Sequence, residues 1–259
     1  MRTRFFPIHR SRYINLKLDL CYFLLIRRDQ IFFFAVNMAS RQSRSPTDKD
    51  MIAVDRILQY VSGTSNLGLI FHSGEGILLY GTCDASYGNH SDRKSHTGVT
   101  LHIGRTSGSF LSRSKKQTVT ADSSTVAEFI AAHVATKEIM WARSLLGELG
   151  FPQHLPTVLY EDNMSTIHMV NNDCNSQKTK HIDIRYNLIR EQVKKGHIVM
   201  HHLSTLDMIS DILTKPIPPA SFAHLRSLLL GRSPIDANII VRAYVTRHHA
   251  PAFNRLLRR

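Results

Sequence analysis

The chain has 259 residues, 42% of them hydrophobic, with 33 Lys/Arg against 20 Asp/Glu and a formal charge of +13. That length supports one substantial core plus flanking segments, and three cysteines (Cys21, Cys83, Cys174) without a CxxC pair exclude a disulfide framework and a zinc ribbon. The charge is concentrated at the ends: residues 1–45 hold nine Lys/Arg and two Asp, residues 230–259 hold six Arg and one Asp, and 18 basic and 17 acidic residues lie between.

The total charge therefore does not by itself mark the centre as a nucleic-acid binder. Near the start, Leu20–Ile26 and Ile31–Val36 are apolar but split by Arg27, Arg28 and Asp29, well short of the roughly 20 residues a membrane span needs. Lys17 and Asp19 interrupt any signal-peptide core. An intracellular, reducing location, cytoplasmic or nuclear, is expected, with no membrane partner.

From Ser45 to Ser62, Met51, Val54, Ile57, Leu58 and Val61 recur at helical spacing, with Asp48 and Asp50 at the start and Gly63 as a stop. Leu67–His72 reads as a short strand, Ser73–Gly76 as a turn, and Ile77–Ser86 as a strand apolar on both faces. After a polar loop, Val99–Ile103 and Ser109–Arg113 flank a Gly104–Gly108 turn and complete an antiparallel meander. A long helix is expected over Thr125–Leu149, with Trp141 in its core, and a fourth strand over Thr157–Glu161. A short helix from Asp162 to about Val170, a helix over His181–Lys195, a strand over His197–Leu203 and a helix over Asp207–Thr214, ended by Pro216, follow. The tail beyond Gly231 has no long periodic pattern and is expected to be poorly ordered.

Alternation along the second strand puts Asp84 on the face of Leu78, Tyr80 and Thr82. An ionised carboxylate is costly there unless it is paired, solvated or bound to a metal. Three more acids occupy comparable places: Glu128 in the first turns of the long helix, Asp162 at the next strand end, and Asp211 near the last helix. Strand ends and helix starts on one edge of an α/β sheet gather into one site. Four carboxylates together repel unless cations lie between them, and Mg²⁺ is the hard cation such a group takes. Two ions about 4 Å apart suit phosphoester hydrolysis, with Asp84 as their shared ligand. Each acid also has a bland role: Thr125 and Glu128 fit a capping box, Asp162 an N-cap, and Asp211 a helix dipole.

The sequence resembles the ribonuclease H domain at the C-terminal end of copia-type retrotransposon Pol polyproteins. The resemblance rests on Cys83-Asp84-Ala85, Asp92-Arg93-Lys94-Ser95 with Thr97-Gly98, Ser114-Lys115-Lys116-Gln117, and Ser123-Ser124-Thr125 with Ala127-Glu128-Phe129. Further along it rests on Glu161-Asp162-Asn163, Thr179 to Arg185, and Asp211 to Pro216. It implies an α/β ribonuclease H-like fold, a five-stranded mixed sheet of order 3-2-1-4-5 flanked by helices. It also implies a hydrolase that cuts the RNA strand of RNA/DNA hybrids using two Mg²⁺ ions, Mn²⁺ being the alternative. Asp84, Glu128, Asp162 and Asp211 would be its catalytic, metal-binding acids. Asp207 competes with Asp211 as the fourth ligand, but Asp211 matches the motif.

The resemblance divides the chain into a basic segment, partly a reverse-transcriptase-like remnant (1–45), the last helix and strand of that region (46–73), a ribonuclease H domain (74–217), and a C-terminal helix with a basic tail (218–259). No Tyr-x-Asp-Asp motif occurs, so no DNA synthesis is assigned, and a reverse transcriptase would be a separate partner. A truncated or decayed element copy is expected. Arg93, Lys94, Lys115, Lys116, Asn163 and Lys180 are the candidate contacts to the hybrid, with Arg113 and Lys178 nearby in type. The competing reading is a catalytically inactive relic or nucleic-acid-binding module of the same fold.

Overall fold

The computed structural model describes residues 32–72, 76–171 and 183–235. The turn at 73–75, Lys178, Lys180 and the tail beyond 235 lie outside the described residues, as does most of the basic N-terminal segment. The chain divides into two compact units, residues 1–68 and 69–259.

In the first unit, α1 (Phe33–Ser40) and α2 (Asp48–Gly63) share a small core of Phe32, Val36, Ala39, Val54 and Ile57. Helix α2 starts where its sequence supplies both halves of a capping box. Thr47 accepts from the Asp50 backbone N–H, and the Asp50 carboxylate accepts from the Thr47 backbone N–H at 2.8 Å.

The second unit is a five-stranded sheet of order β3-β2-β1-β4-β5. Its strands are β1 (Leu79–Ser86), β2 (His96–Ile103), β3 (Ser109–Lys116), β4 (Thr157–Glu161) and β5 (Ile198–His202). β1–β2–β3 form an antiparallel meander, while β4 runs parallel to both β1 and β5. The chain crosses from β3 to β4 through α3 (Ser124–Glu148) and from β4 to β5 through α4 (Met164–Asn171) and α5 (Asp183–Lys194). Helix α6 (Pro219–Leu229) follows β5 and two 3₁₀ turns. The strand order and connectivity match those expected from the sequence.

Alternation on β1 divides two cores. Leu79, Cys83 and Ala85 pack with Val99, Leu101, Leu159 and the inner face of α3, while Tyr80 packs on the other face with Val158, Tyr160, Val199 and Met208. Alanines at 127, 131, 132, 135 and 142 line the buried side of α3, which lets this helix lie close to the sheet. The expected apolar stripe is displaced at its C-terminal end. Trp141 is 52% exposed and Leu149 61% exposed, so Trp141 is not a core residue.

Two further elements differ from expectation. Residues 67–72 form no strand; Ile70 instead donates its N–H to Leu230 and accepts from Gly108, which ties this segment to the end of α6. The helix expected over Asp207–Thr214 is two 3₁₀ turns, Thr205–Asp207 and Ile209–Leu213, separated by an extended Met208. Ser204 caps the first, and the extended Met208 interrupts the helical backbone before the second. Among the described residues, no helix is long and apolar enough to cross a membrane.

Candidate active site

Because β1 and β4 are parallel neighbours, their C-terminal ends emerge on one edge of the sheet. Asp84 lies near the end of β1, Glu161 ends β4, and Asp162 follows it. Glu128 comes from the second turn of α3, and Asp211 from the second 3₁₀ turn. These five acids form two groups, Asp84–Asp162–Asp211 and Glu128–Glu161–Asp162, in each of which the ligand oxygens lie within 4.8 Å of one another. Strand parity explains the division. Glu161 shares the α3 side of the sheet with Leu159, and Asp84 the opposite side with Tyr80. Asp162, just past the last residue of β4, belongs to both groups, and Asp84 to one.

The capping roles open to Glu128 and Asp162 fall to their neighbours. Helix α3 is capped by Ser123, whose hydroxyl accepts from the Val126 N–H, and Glu128 makes no capping box with Thr125. Helix α4 is capped by Asn163, whose Oδ1 accepts from the Thr166 N–H at 3.1 Å. Asn163, a candidate substrate contact, is thus engaged in its own helix. Asp162 instead accepts from the Thr205 hydroxyl at 2.9 Å. Asp207 pairs with His224 at 2.8 Å and stands outside both groups.

Glu161 was not among the acids chosen from sequence. It is fully buried, accepts from the Cys83 thiol at 3.1 Å and from the Asn163 N–H at 3.2 Å. A glutamate on the core-facing side of a buried strand was its only signal.

Burial and mutual repulsion raise the pKa values across the cluster. Burial, then the charges of Glu161, Asp84 and Asp162, push Glu128 up to about 11; its Oε2 is buried without a partner. Asp211 is pushed up to about 7, by burial and then by Asp84, while Lys215 opposes the rise. Burial also raises Glu161 well above the ordinary range and raises Asp84, the latter opposed chiefly by Lys215 and Thr214. Such a set of oxygen ligands cannot all ionise without an added positive charge, so these residues fit a hard, oxygen-seeking divalent cation.

The turn bearing Asp211 is held against the sheet from three directions. The Thr214 hydroxyl donates to the Asp84 carboxylate, and Lys215 Nζ lies 2.9 Å from Asp211 and 3.9 Å from Asp84. Ser114 Oγ donates to the Leu213 carbonyl at 2.7 Å. Having used its proton there, Ser114 accepts from His96 Nε2 at 2.8 Å, and His96 Nδ1 lies 3.0 Å from His90 Nε2. Gly98 on β2 makes this close approach possible, because a Cβ there would lie 2.6 Å from the Ser210 carbonyl oxygen and 2.6 Å from Thr214 Cγ2.

The remaining candidate contacts are less convergent. Lys94 and Lys116 both reach Asp92, at 3.8 and 2.7 Å, and Arg93 adopts a left-handed φ of 61° in the same turn. Lys115 lies on β3 next to Lys116.

No protein-family model matches the sequence. The chain is 35% identical over 195 residues to the retrovirus-related Pol polyprotein from transposon RE1 of Arabidopsis thaliana, and 36% identical over 196 residues to that from transposon TNT 1-94 of Nicotiana tabacum. Each match covers 75% of this chain, which spans only 13% and 14% of the respective polyproteins. Among solved structures, LC11-RNase H1 in complex with RNA/DNA hybrid aligns with a TM-score of 0.41 at 11% identity, over 52% of this chain and 93% of that one. The prototype foamy virus RNase H domain aligns with a TM-score of 0.36 at 16% identity, over 61% and 94%. The sequence relatives of this chain are thus the retrovirus-related Pol polyproteins of copia-type transposons, and its sheet has the strand order and connectivity of a ribonuclease H-like fold.

Proposed function

We propose that this chain is a ribonuclease H that hydrolyses the RNA strand of RNA/DNA hybrids, using two divalent ions, Mg²⁺ or Mn²⁺. The observation that carries the reading is the pair of three-acid groups meeting at Asp162 on one sheet edge. Asp84, Asp162 and Asp211 would hold one ion, and Glu128, Glu161 and Asp162 the other. The bound ions would supply the positive charge and Lewis acidity that phosphodiester hydrolysis requires. The protein's own part is positional: β1 and β4 fix three of the acids, α3 brings Glu128 over the sheet, and the Thr214 and Ser114 contacts fix the turn that carries Asp211. The homologous polyproteins give the reading its biological setting, and a reverse transcriptase supplied separately would be the natural partner of such a domain.

The test is cleavage of an end-labelled RNA/DNA hybrid with Mg²⁺, beside single-stranded RNA, duplex DNA and duplex RNA. Hybrid-specific cutting of the RNA strand, lost in Asp162→Asn, is expected. Failure of a well-folded protein to cut, or equal cutting by Asp162→Asn, would overturn this reading in favour of a non-catalytic relic or binding module.

A further inference from the structure

The last turns of helix α3 carry an exposed apolar stripe. Thr136, Ile139, Ala142 and Leu146 face the core there, while Trp141, Leu145 and Leu149 recur at four-residue spacing and are exposed. The chain adds to the stripe just past the helix. Gly150 adopts φ 86°, and the Phe151 N–H donates to the Leu146 carbonyl at 2.7 Å, which fixes the backbone of a further exposed aromatic residue. These four side chains expose apolar area on the order of 400 Å², the size of the largest patch on a monomer, where such patches mark interaction surfaces.

Charge borders the stripe in an ordered way. Lys137 and Glu148 are eleven residues apart, so they lie within about 20° of one line along the helix. Both are exposed, and neither forms an ion pair among the described residues. The other charged groups of these turns are engaged within the domain. Glu138 pairs with Arg113 at 2.6 Å, and Arg143 turns its guanidinium to the Gln153 and Leu155 carbonyls and the Thr157 hydroxyl.

The pattern is complementary to itself. In an antiparallel two-fold contact, residue i of one helix lies opposite residue j of the other, and j opposite i. Trp141 with Leu145 and Lys137 with Glu148 are both centred on Arg143 to within half a residue, so one two-fold axis serves both pairs. Each indole then meets the second copy's Leu145, and each ammonium the second copy's Glu148. A stripe that faced an unrelated protein would have no reason to carry this symmetry. With the flanking polar groups, two copies would bury about 1,000 Å² in all, the lower edge of specific interfaces.

We propose that the last turns of α3 are a homodimer interface, in which α3 packs antiparallel on α3 of a second copy, Trp141 against Leu145 and Lys137 against Glu148. The acid cluster stays open in such a dimer, since Glu128 lies thirteen residues before Trp141, about 20 Å along the helix. Association through this face is independent of whether the acids hydrolyse a hybrid.

Sedimentation velocity of the full chain from about 1 to 100 µM should show a monomer–dimer equilibrium, because an interface of this size supports micromolar association. Trp141 is the only tryptophan in the chain, so its emission should shift to shorter wavelength over the same concentration range as the ring leaves water. Leu145→Glu should abolish both changes. Lys137→Glu and Glu148→Lys should each weaken dimerisation by roughly tenfold, since each sets like charges opposite one another at two places. The double variant Lys137→Glu/Glu148→Lys should return to within about threefold of the wild type, because both ion pairs re-form with their signs exchanged. Thermal melting of each variant confirms that the fold is intact.

A chain that remains monomeric up to about 100 µM overturns the proposal, as does a dimer that persists in folded Leu145→Glu. A double variant no better than its single parents overturns it too, because the pairing is then not two-fold about Arg143.

Discussion

Lys215 Nζ lies 2.9 Å from Asp211 and 3.9 Å from Asp84, so an ammonium group occupies the side of the acid cluster formed by β1 and the 3₁₀ turn. Its side chain is 35% exposed. Partial solvation limits its contribution, and its removal should shift metal binding modestly. In Lys215→Met, calorimetric titration should show divalent-ion affinity rising by about twofold to fivefold, while the metal-free protein melts at a lower temperature. Weaker ion binding by a folded Lys215→Met protein would show that the lysine assists the ions rather than substituting for them.

Stability of the metal-free protein should fall with rising pH. Asp211 is held up to about 7 against an ordinary 3.8, and Glu128 up to about 11 against 4.5, so the folded state keeps protons that the unfolded chain releases. The stabilisation from these groups is complete below their unfolded values and is lost as pH rises through about 7 for Asp211 and about 11 for Glu128. Thermal melts at a series of pH values should show this decline in EDTA, with Mg²⁺ restoring more stability at alkaline than at acidic pH. A melting temperature that rises with pH in EDTA would contradict the cluster's electrostatics.

The two acid groups differ in membership, and ion stoichiometry can separate them. Glu161→Gln keeps an acceptor for the Asn163 N–H yet removes one carboxylate from the Glu128–Glu161–Asp162 group. Calorimetry with Mn²⁺ should then find one site weakened by roughly tenfold to a hundredfold and the other unaltered. Asp162→Asn should weaken both sites. Equal weakening of both by Glu161→Gln would show that the acids act as one undivided cluster.

Ser114 touches no proposed ligand, yet it joins His96 to the backbone of the turn that carries Asp211. Ser114→Ala should cost about 1 to 3 kcal/mol of stability, the range for a buried hydrogen-bonding group left without its partner. It should also reduce kcat by roughly tenfold or more through displacement of Asp211, with KM little changed. Ser114→Thr, which keeps the hydroxyl, should recover most of that loss. If kcat is untouched in Ser114→Ala, the contact serves the fold alone.

Much of the architecture was legible because its signals are local. Period-two alternation marked β2, an apolar run on both faces marked β1, and the apolar spacing over Met51–Val61 marked α2. What failed was decided by tertiary contacts. Trp141 satisfies a helical apolar pattern, but alanines occupy the face of α3 that meets the sheet, so the large ring lies outside. The helical pattern over Asp207–Thr214 yields to 3₁₀ turns pinned by Thr214 and Leu213. In the site, Asp84 stood out as an acid on a strand with no local excuse, whereas Glu161 was hidden beside Asp162. Its role depends on which face of β4 meets Glu128, a relation between elements that strand parity alone does not fix. Lys215 was equally hidden, since a lysine before a proline carries no sign that two aspartates will fold onto it.

The parallel pairing of β1 with β4 has a kinetic consequence. Cys83 meets Glu161 across 78 residues of chain, and Asp84 meets Thr214 across 130, so no hairpin or single crossover contains the site. Contacts of that span form only after long loops have closed, which places them late in folding. The antiparallel meander needs only short loop closures, but it carries one of the five acids. Catalytic competence in this domain should therefore appear in a single late phase of refolding, together with the docking of its last turn, and shortening the chain before Thr214 should abolish it rather than diminish it.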